Sequence, residues 1–427
     1  MMLSLYRSAT FFLAPIISLY LKRRMTRGKE DPVRFSERLG IAGKKRPDGP
    51  LLWLHGASVG ESLSMLPLID RLQNDHPSTT ILVTTGTLTS AKLMSERLPE
   101  GAFHQYVPVD RQPYVRRFLD HWKPDMVLWF ESDFWPNMIC EIANRKIPLV
   151  LINGRISAES FAGWQKAKGM IAQLLRRFTL CFGQAEEDCR RLEALGAPNT
   201  ACVGNLKFAS APLPADPEDL LRLEQAFNGR PRWVAASTHE GEETLIAAVH
   251  TNAKKKHPGL LTLIAPRHPE RGDAIAAQLR AQGLEVAQRS KNERLGASTD
   301  VYLTDTLGEM GLWFTLCPMV FIGKSLAHHG GQNPLEPAKM DCAILHGPGM
   351  RNFEYIAGRL RDGDASLEVA DHNQLTETLL KLLDDPDTVS RLADAAKTVA
   401  EAEAGVVDRL MERLNPIFPK NLKRGES

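Results

Sequence analysis

Fourteen short apolar runs, most of them separated by segments of helical periodicity, constrain this chain more than any other feature of its sequence. Seven fall in the first half, at Leu51–Leu54, Thr80–Thr84, Gln105–Val109, Met126–Phe130, Leu149–Asn153, Leu180–Gly183 and Ala201–Gly204. Seven follow in the second, at Trp233–Thr238, Leu260–Ala265, Leu284–Gln288, Asp300–Thr304, Met319–Gly323, Ala343–His346 and Leu367–Ala370. Stretches such as Pro113–His121 and Glu186–Leu195 repeat their apolar residues at helical spacing. Short strands alternating with helices form parallel sheets covered on both faces, so the reading is α/β with doubly wound sheets. Between the two sets, Ala209-Ser-Ala-Pro-Leu-Pro-Ala-Asp-Pro217 carries three prolines, too many for a helix or a central strand. The sequence therefore predicts a Rossmann-like domain over 25–208, a linker over 209–217 and a second such domain over 218–427. Both carboxyl edges are expected on one cleft, as a two-substrate enzyme requires.

Residues 1–24 stand apart. Leu3 to Leu21 are mostly apolar and run into Lys22, Arg23, Arg24, Arg27 and Lys29, with Lys44, Lys45 and Arg46 beyond, although the formal charge of the whole chain is only +2. A signal peptide puts its cations first, and here they follow. The apolar run from Ser8 falls short of the ~20 residues a single span needs, and it contains Pro15. Tyr6 and Tyr20 near its ends and the cations after it fit a helix lying in the cytoplasmic face of a membrane. A helix packed on its own domain is the alternative. The six cysteines (140, 181, 189, 202, 317 and 342) form no CxxC pair, which suits a reducing compartment and argues against a disulfide framework or a zinc site.

Open α/β sheets bind ligands at the carboxyl ends of their strands, so polar residues there are the candidates. His55-Gly-Ala-Ser-Val-Gly-Glu61 runs from the first strand into a helix, where Glu61 either complements the helix dipole or faces a ligand. Glu131 ends the fourth strand in Glu131-Ser-Asp-Phe-Trp-Pro-Asn137, with Asp133 two residues on. Arg155 follows the fifth strand and is expected to pair with a local carboxylate; Lys207, in Gly204-Asn-Leu-Lys-Phe208, falls beside the linker in the floor of the cleft. In the second half, Ser237-Thr-His-Glu-Gly-Glu-Glu243 reads as a helix start capped by Ser237 or Thr238, with Glu242 and Glu243 as first-turn carboxylates only. Pro266-Arg-His-Pro-Glu-Arg271 places Arg267 where a phosphate would lie, and Asp305 to Gly311 turns from strand to helix. The segment from Gly323 passes through Gly330 and Gly331, which tolerate positive φ, to Pro334 in a first helical turn. Glu336, two residues later, is a candidate acceptor for ribose hydroxyls. No GxGxxG, Walker A or HExxH occurs, and His268, His328 and His329 lack the spacing of a zinc set.

Together, His55–Glu61, Glu131–Asn137, Gly204–Phe208, Pro266–Arg271 and Gly330–Glu336 resemble the 3-deoxy-D-manno-octulosonic acid (Kdo) transferases of Gram-negative bacteria, over nearly the whole chain. The resemblance implies a GT-B fold with a short N-terminal membrane-associated helix, an acceptor-binding domain at 25–208 and a donor-binding domain at 218–427. It implies inverting transfer of Kdo from CMP-Kdo to the lipid A precursor (lipid IVA) at the cytoplasmic face of the inner membrane. No metal, no cofactor and no nucleic-acid partner are expected. By position, Glu61 matches the family's general base, and Glu131 and Lys207 match polar residues that support the transition state. Pro266 and Arg267, the turn Glu309-Met310-Gly311, and Asn333-Pro334-Leu335-Glu336 match segments that hold CMP. Gln332 stands where the family usually has His, and Lys324 where a second glycine is common. Two competing readings are another GT-B enzyme using a UDP-sugar and a non-catalytic two-lobed binding protein.

Overall fold

The computed structural model describes residues 2–209, 212–328 and 330–422. His329 and the linker residues Ser210 and Ala211 lie outside the described residues. The chain divides into two compact units, 1–210 together with 403–427, and 211–402.

The first unit carries a parallel sheet of seven strands: β1 Leu51–His55, β2 Thr80–Thr85, β3 Ala102–Tyr106, β4 Met126–Phe130, β5 Leu149–Gly154, β6 Leu180–Gly183 and β7 Thr200–Cys202. Their order is β3-β2-β1-β4-β5-β6-β7. The second unit holds β8 Arg232–Thr238, β9 Leu261–Pro266, β10 Val286–Gln288, β11 Val301–Leu303, β12 Met319–Ile322, β13 Ala343–His346 and β14 Ser366–Glu368, ordered β10-β11-β9-β8-β12-β13-β14. The central strands are buried on both faces, as β1 and β4 show at every residue, which is why they read as unbroken apolar runs. Strand order reverses between β1 and β4 and between β8 and β12, the kind of switch point at which open α/β sheets commonly bind ligands.

Three expectations change. The third strand lies at Ala102–Tyr106, not Gln105–Val109. Beyond Tyr106 the backbone is held by residues 37–38: Glu37 accepts from Tyr106 N (2.7 Å), Arg38 O accepts from Val109 N (2.9 Å), and the Arg38 guanidinium bonds Val107 O. The domain expected over 218–427 loses its end, because helix Val406–Leu414 buries Val406, Leu410, Met411 and Leu414 in the first unit's core with Leu52, Leu54 and Ile69.

The N-terminal segment is the third change. It forms helices Met2–Phe12 and Ala14–Thr26, bent by 65°. Leu3 joins the first unit's core. The Tyr6 hydroxyl donates to Asp110 (3.0 Å), Arg7 pairs with Glu141 (3.0 Å) and Asn137 Nδ2 donates to the Thr10 hydroxyl (3.1 Å). Asp110 also accepts from Asn137 N and Met138 N, so it ties the first helix to the start of helix Pro136–Asn144. One face of the segment is therefore part of the domain. The other leaves Leu5, Phe11, Phe12, Leu13, Ile16, Leu19 and Tyr20 exposed. Among the described residues no single helix is long and apolar enough to cross a membrane, while the bent pair meets that test by length and composition.

Candidate active site

The turn after β1 brings a carboxylate out of water. Ser58 caps helix Val59–Asp75 by accepting from Glu61 N (3.3 Å), and Glu61 reaches back: Oε1 accepts from the Ser58 hydroxyl and Oε2 from Ala57 N, each at 2.6 Å. Glu61 therefore sits in the first turn, tied to the residues at the helix start, where the helix dipole also favours its charge. Capping alone stabilises the charged form, yet here burial raises the Glu61 pKa, against those two hydrogen bonds and with help from the negative Glu131 and Asp133. Glu61 is only 7% exposed. Gly56 makes the burial possible, since a Cβ there would sit 2.1 Å from Met65 Cε and 3.3 Å from Glu61 Oε2. His55 is structural: buried, 2.9 Å from the Thr84 hydroxyl, and pushed by burial to a pKa of about 3, so it stays neutral.

Glu131 ends β4 at φ 56°, a left-handed conformation that costs a non-glycine residue ~1 kcal/mol or more. Its N–H is fixed on Ile152 O (2.9 Å), and its carboxylate meets Lys207 Nζ at 2.7 Å. Their side chains are 22% and 38% exposed, so the pair adds at most ~1 kcal/mol to stability; strain kept for so small a return points to function. Three amides set the lysine's position. Asn153, also left-handed at φ 58°, accepts from Leu206 N (3.0 Å) and from Gln184 Nε2 through its own carbonyl (2.9 Å). Gln184 Oε1 then accepts from Asn205 Nδ2 (3.0 Å), and Asn205 Oδ1 from Lys207 N (3.0 Å). The sequence reading passed over Asn153, Gln184 and Asn205; the only available signal was a polar residue closing an apolar strand. Arg155 is exposed, and its charge acts on Asp188 without the ion pair expected of it.

In the second unit the strand-end turns of β11, β9, β8 and β12 lie side by side, because those strands are neighbours. The helix start expected at Ser237 or Thr238 is corrected. Ser237 is left-handed (φ 57°), and the helix runs Glu242–Lys254 behind Gly241. Glu242 and Glu243 do more than face a dipole. The buried Glu242 carboxylate accepts from His239 N (2.9 Å), Lys324 N (2.7 Å), Ser325 N (3.2 Å) and Leu326 N (3.3 Å), locking the β8 and β12 turns together. Glu243 takes both arms of Arg271 (3.0 and 3.2 Å) and the Thr238 hydroxyl (3.0 Å). Lys324 is left-handed at φ 58°, which explains why glycine suits that position. Of the glycine pair only Gly331 has positive φ (67°).

Pro266 closes β9, and Arg267, exposed beyond it, is held by its N–H on Thr238 O (3.0 Å). Its positive charge reaches Glu336, whose carboxyl is raised by burial and lowered in turn by Asn333 Nδ2 (3.2 Å), Lys339 and Arg267. Asn333 also caps Leu335 N (3.1 Å), and Pro334 stands at the cap of helix Leu335–Ala338, one position earlier than expected. Glu309 is committed: Arg289 grips both oxygens (2.6 and 3.2 Å) and the Thr306 hydroxyl adds a third bond. Met310 opens helix Met310–Leu316, and Gly311 lies under the backbone of 213–214, where a Cβ would fall 2.2 Å from Pro214 O. Those two positions can therefore offer a ligand backbone groups more readily than side chains. His239 packs its ring against His268 and His328 (centroids 5.7 and 5.9 Å), with Gln332 Nε2 3.2 Å from its Nε2. Among the described residues, no three His, Cys, Asp or Glu side chains converge as a metal-binding set.

Two seven-stranded parallel sheets with ligand turns at their carboxyl edges define the GT-B class. UDP-GlcNAc 2-epimerase from Neisseria meningitidis shares the fold at a TM-score of 0.55 and 14% identity, over 85% of this chain and 100% of that one. MurG from Acinetobacter baumannii does so at 0.53 and 10%, over 86% and 99%. Sequence narrows the class. Residues 33–210 match the 3-deoxy-D-manno-octulosonic-acid transferase (kdotransferase) family. The 3-deoxy-D-manno-octulosonic acid transferase of Rickettsia bellii is 35% identical over 421 residues, 98% of this chain and 100% of its own. That of Haemophilus influenzae is 31% identical over 425 residues, 98% and 99%. The chain belongs to the 3-deoxy-D-manno-octulosonic acid transferase family and is a glycosyltransferase, which sets aside the non-catalytic binding protein.

Proposed function

We propose that this enzyme moves Kdo from CMP-Kdo to the lipid A precursor lipid IVA, inverting the anomeric centre, with Glu61 as general base. The observation that carries the reading is a buried carboxylate with a raised pKa at the carboxyl end of β1, among residues positioned by strained strand ends. An acceptor hydroxyl attacks the anomeric carbon from the face opposite CMP and passes its proton to Glu61. The bond to the phosphate oxygen breaks, and CMP leaves as a phosphate monoester. Lys207, steadied by Glu131, offers a cation to the Kdo carboxylate or to the developing charge. In the second unit Pro266 and Arg267, the turn Glu309–Gly311 and Asn333–Glu336 bind CMP, with Arg267 on the phosphate and Glu336 toward the ribose. No step in this scheme is assigned to a metal. The exposed apolar face of the N-terminal helices, with its basic flank, lies in the cytoplasmic face of the inner membrane, where the lipid acceptor resides.

Glu61→Gln tests the base. The amide can still accept from Ala57 N and bond Ser58, so the variant is expected to fold and bind CMP. Turnover should fall by ~10²–10⁴, the usual contribution of proton transfer. A variant keeping more than about a tenth of wild-type kcat overturns the assignment.

A further inference from the structure

Gly183 at the end of β6 and Cys202 at the end of β7 stand opposite each other in the ladder. Residues paired across adjacent strands send their side chains to the same face of the sheet. On that face, a Cβ on Gly183 would lie 2.5 Å from Sγ of Cys189, in helix Glu186–Leu195. The glycine thus opens the space where the Cys189 sulfur rests, and Cys202 directs its own thiol toward the same space. The two side chains interact closely enough for each to shift the titration of the other. Cys202 is exposed and Cys189 buried, and the other four cysteines are all buried. Interaction with Cys189 lowers the Cys202 pKa, favouring the thiolate at the sulfur that solvent can reach. The same interaction, with burial, raises that of Cys189.

We propose that Cys202 and Cys189 form an oxidation site in which a hydroperoxide oxidises the exposed Cys202 and Cys189 closes an intramolecular disulfide. The Cys202 thiolate attacks the peroxide O–O bond, giving a sulfenic acid and releasing water or an alcohol once a proton is taken up. Cys189 then attacks the sulfenic sulfur, and its thiol proton leaves with the sulfenic hydroxyl as water. The two sulfurs give up two electrons between them, and the peroxide accepts them. Closing a bond of ~2.05 Å brings the two sulfurs together in the space that Gly183 leaves open, and β7 is a three-residue edge strand able to move with its cysteine. The bridge would pin β7 to helix Glu186–Leu195 five residues before Lys207.

The reduced full-length protein is treated with hydrogen peroxide, its remaining thiols are alkylated, and it is digested with trypsin, which cuts at Arg190 and Arg191 between the two cysteines. The expected product is a peptide pair joined through Cys189 and Cys202, separated by dithiothreitol, with the other four cysteines alkylated. In Cys189→Ser, Cys202 should instead be trapped by dimedone as the sulfenic acid; in Cys202→Ser, Cys189 should stay reduced. The proposal is overturned if wild-type Cys202 is recovered unmodified, as a dimedone or sulfinic product, or linked to a second chain, with no 189–202 bridge. Circular dichroism of both variants confirms that they compare folded proteins.

Discussion

Glu61 carries two opposed influences that differ in sign with pH. Burial raises its pKa above the ordinary carboxylate value, so the native state favours the protonated form. The stability this lends is complete below the unfolded-state pKa and is lost as pH rises through the higher native one. A general base must be ionised, so activity should climb with pH over the same interval in which that stability is lost. The acidic limb of kcat against pH is therefore expected above pH ~4.5, the ordinary carboxylate value. Glu61→Gln should melt at or above the wild-type temperature near neutral pH, with the difference shrinking as the buffer is acidified. An acidic limb below the ordinary carboxylate range would refute the raised pKa. On the donor side, Arg267→Ala and Glu336→Ala should each weaken CMP binding by roughly 1.5–3 kcal/mol while sparing kcat at saturating donor; isothermal titration with CMP checks this. The motif containing Glu61 was visible in the sequence. Its raised pKa was not, because that depends on Gly56 letting Met65 and the helix close over the carboxylate.

Turns are the elements where sequence reasoning lost most. Glu242 looked like a helix-start carboxylate because its main partners, Lys324, Ser325 and Leu326, lie 82–84 residues further on. Local spacing cannot reveal an acceptor whose donors belong to another strand's loop. Glu242→Gln keeps the shape and loses the charge, so the β8 and β12 turns should loosen together. The expected result is an increase in donor KM of tenfold or more with a smaller effect on kcat, and a lowered Tm. A fall in Tm with donor KM unchanged would reduce Glu242 to a scaffold residue. The N-terminal helices were legible as an apolar element with a basic flank, but not as one tied to Asp110 and Glu141. Deleting residues 1–24 would therefore also uncover part of the core, and point variants separate the two faces. Tyr6→Phe should cost ~1 kcal/mol of stability and leave binding to anionic liposomes intact. Replacing Phe11, Phe12 and Ile16 by serine should do the reverse, lowering liposome binding with Tm preserved. Unchanged liposome binding in the triple variant would contradict the membrane proposal.

At the scale of the whole molecule, the two sheets were readable because buried parallel strands leave apolar runs and the helices between them leave a different period. Met126–Phe130, Leu180–Gly183 and Ala343–His346 fall where their residues predicted. The boundaries were less readable. The helix Val406–Leu414 has the amphipathic pattern of any surface helix, and nothing in it states which unit's core it joins. The division of labour proposed for the units has its own check: CMP should raise the melting temperature of the full chain more than UDP at equal concentration, and Arg267→Ala should remove the difference. Equal shifts from both nucleotides would favour a UDP-sugar donor. The transfer itself is tested most directly by a mass spectrum of the lipid recovered after purified enzyme is incubated with CMP-Kdo and a tetra-acylated lipid A precursor. The expected spectrum shows acceptor heavier by one or more whole Kdo residues with wild-type protein, and unmodified acceptor with Glu61→Gln. Unmodified acceptor with the wild type, or equal modification by both proteins, would contradict the proposed reaction and its base.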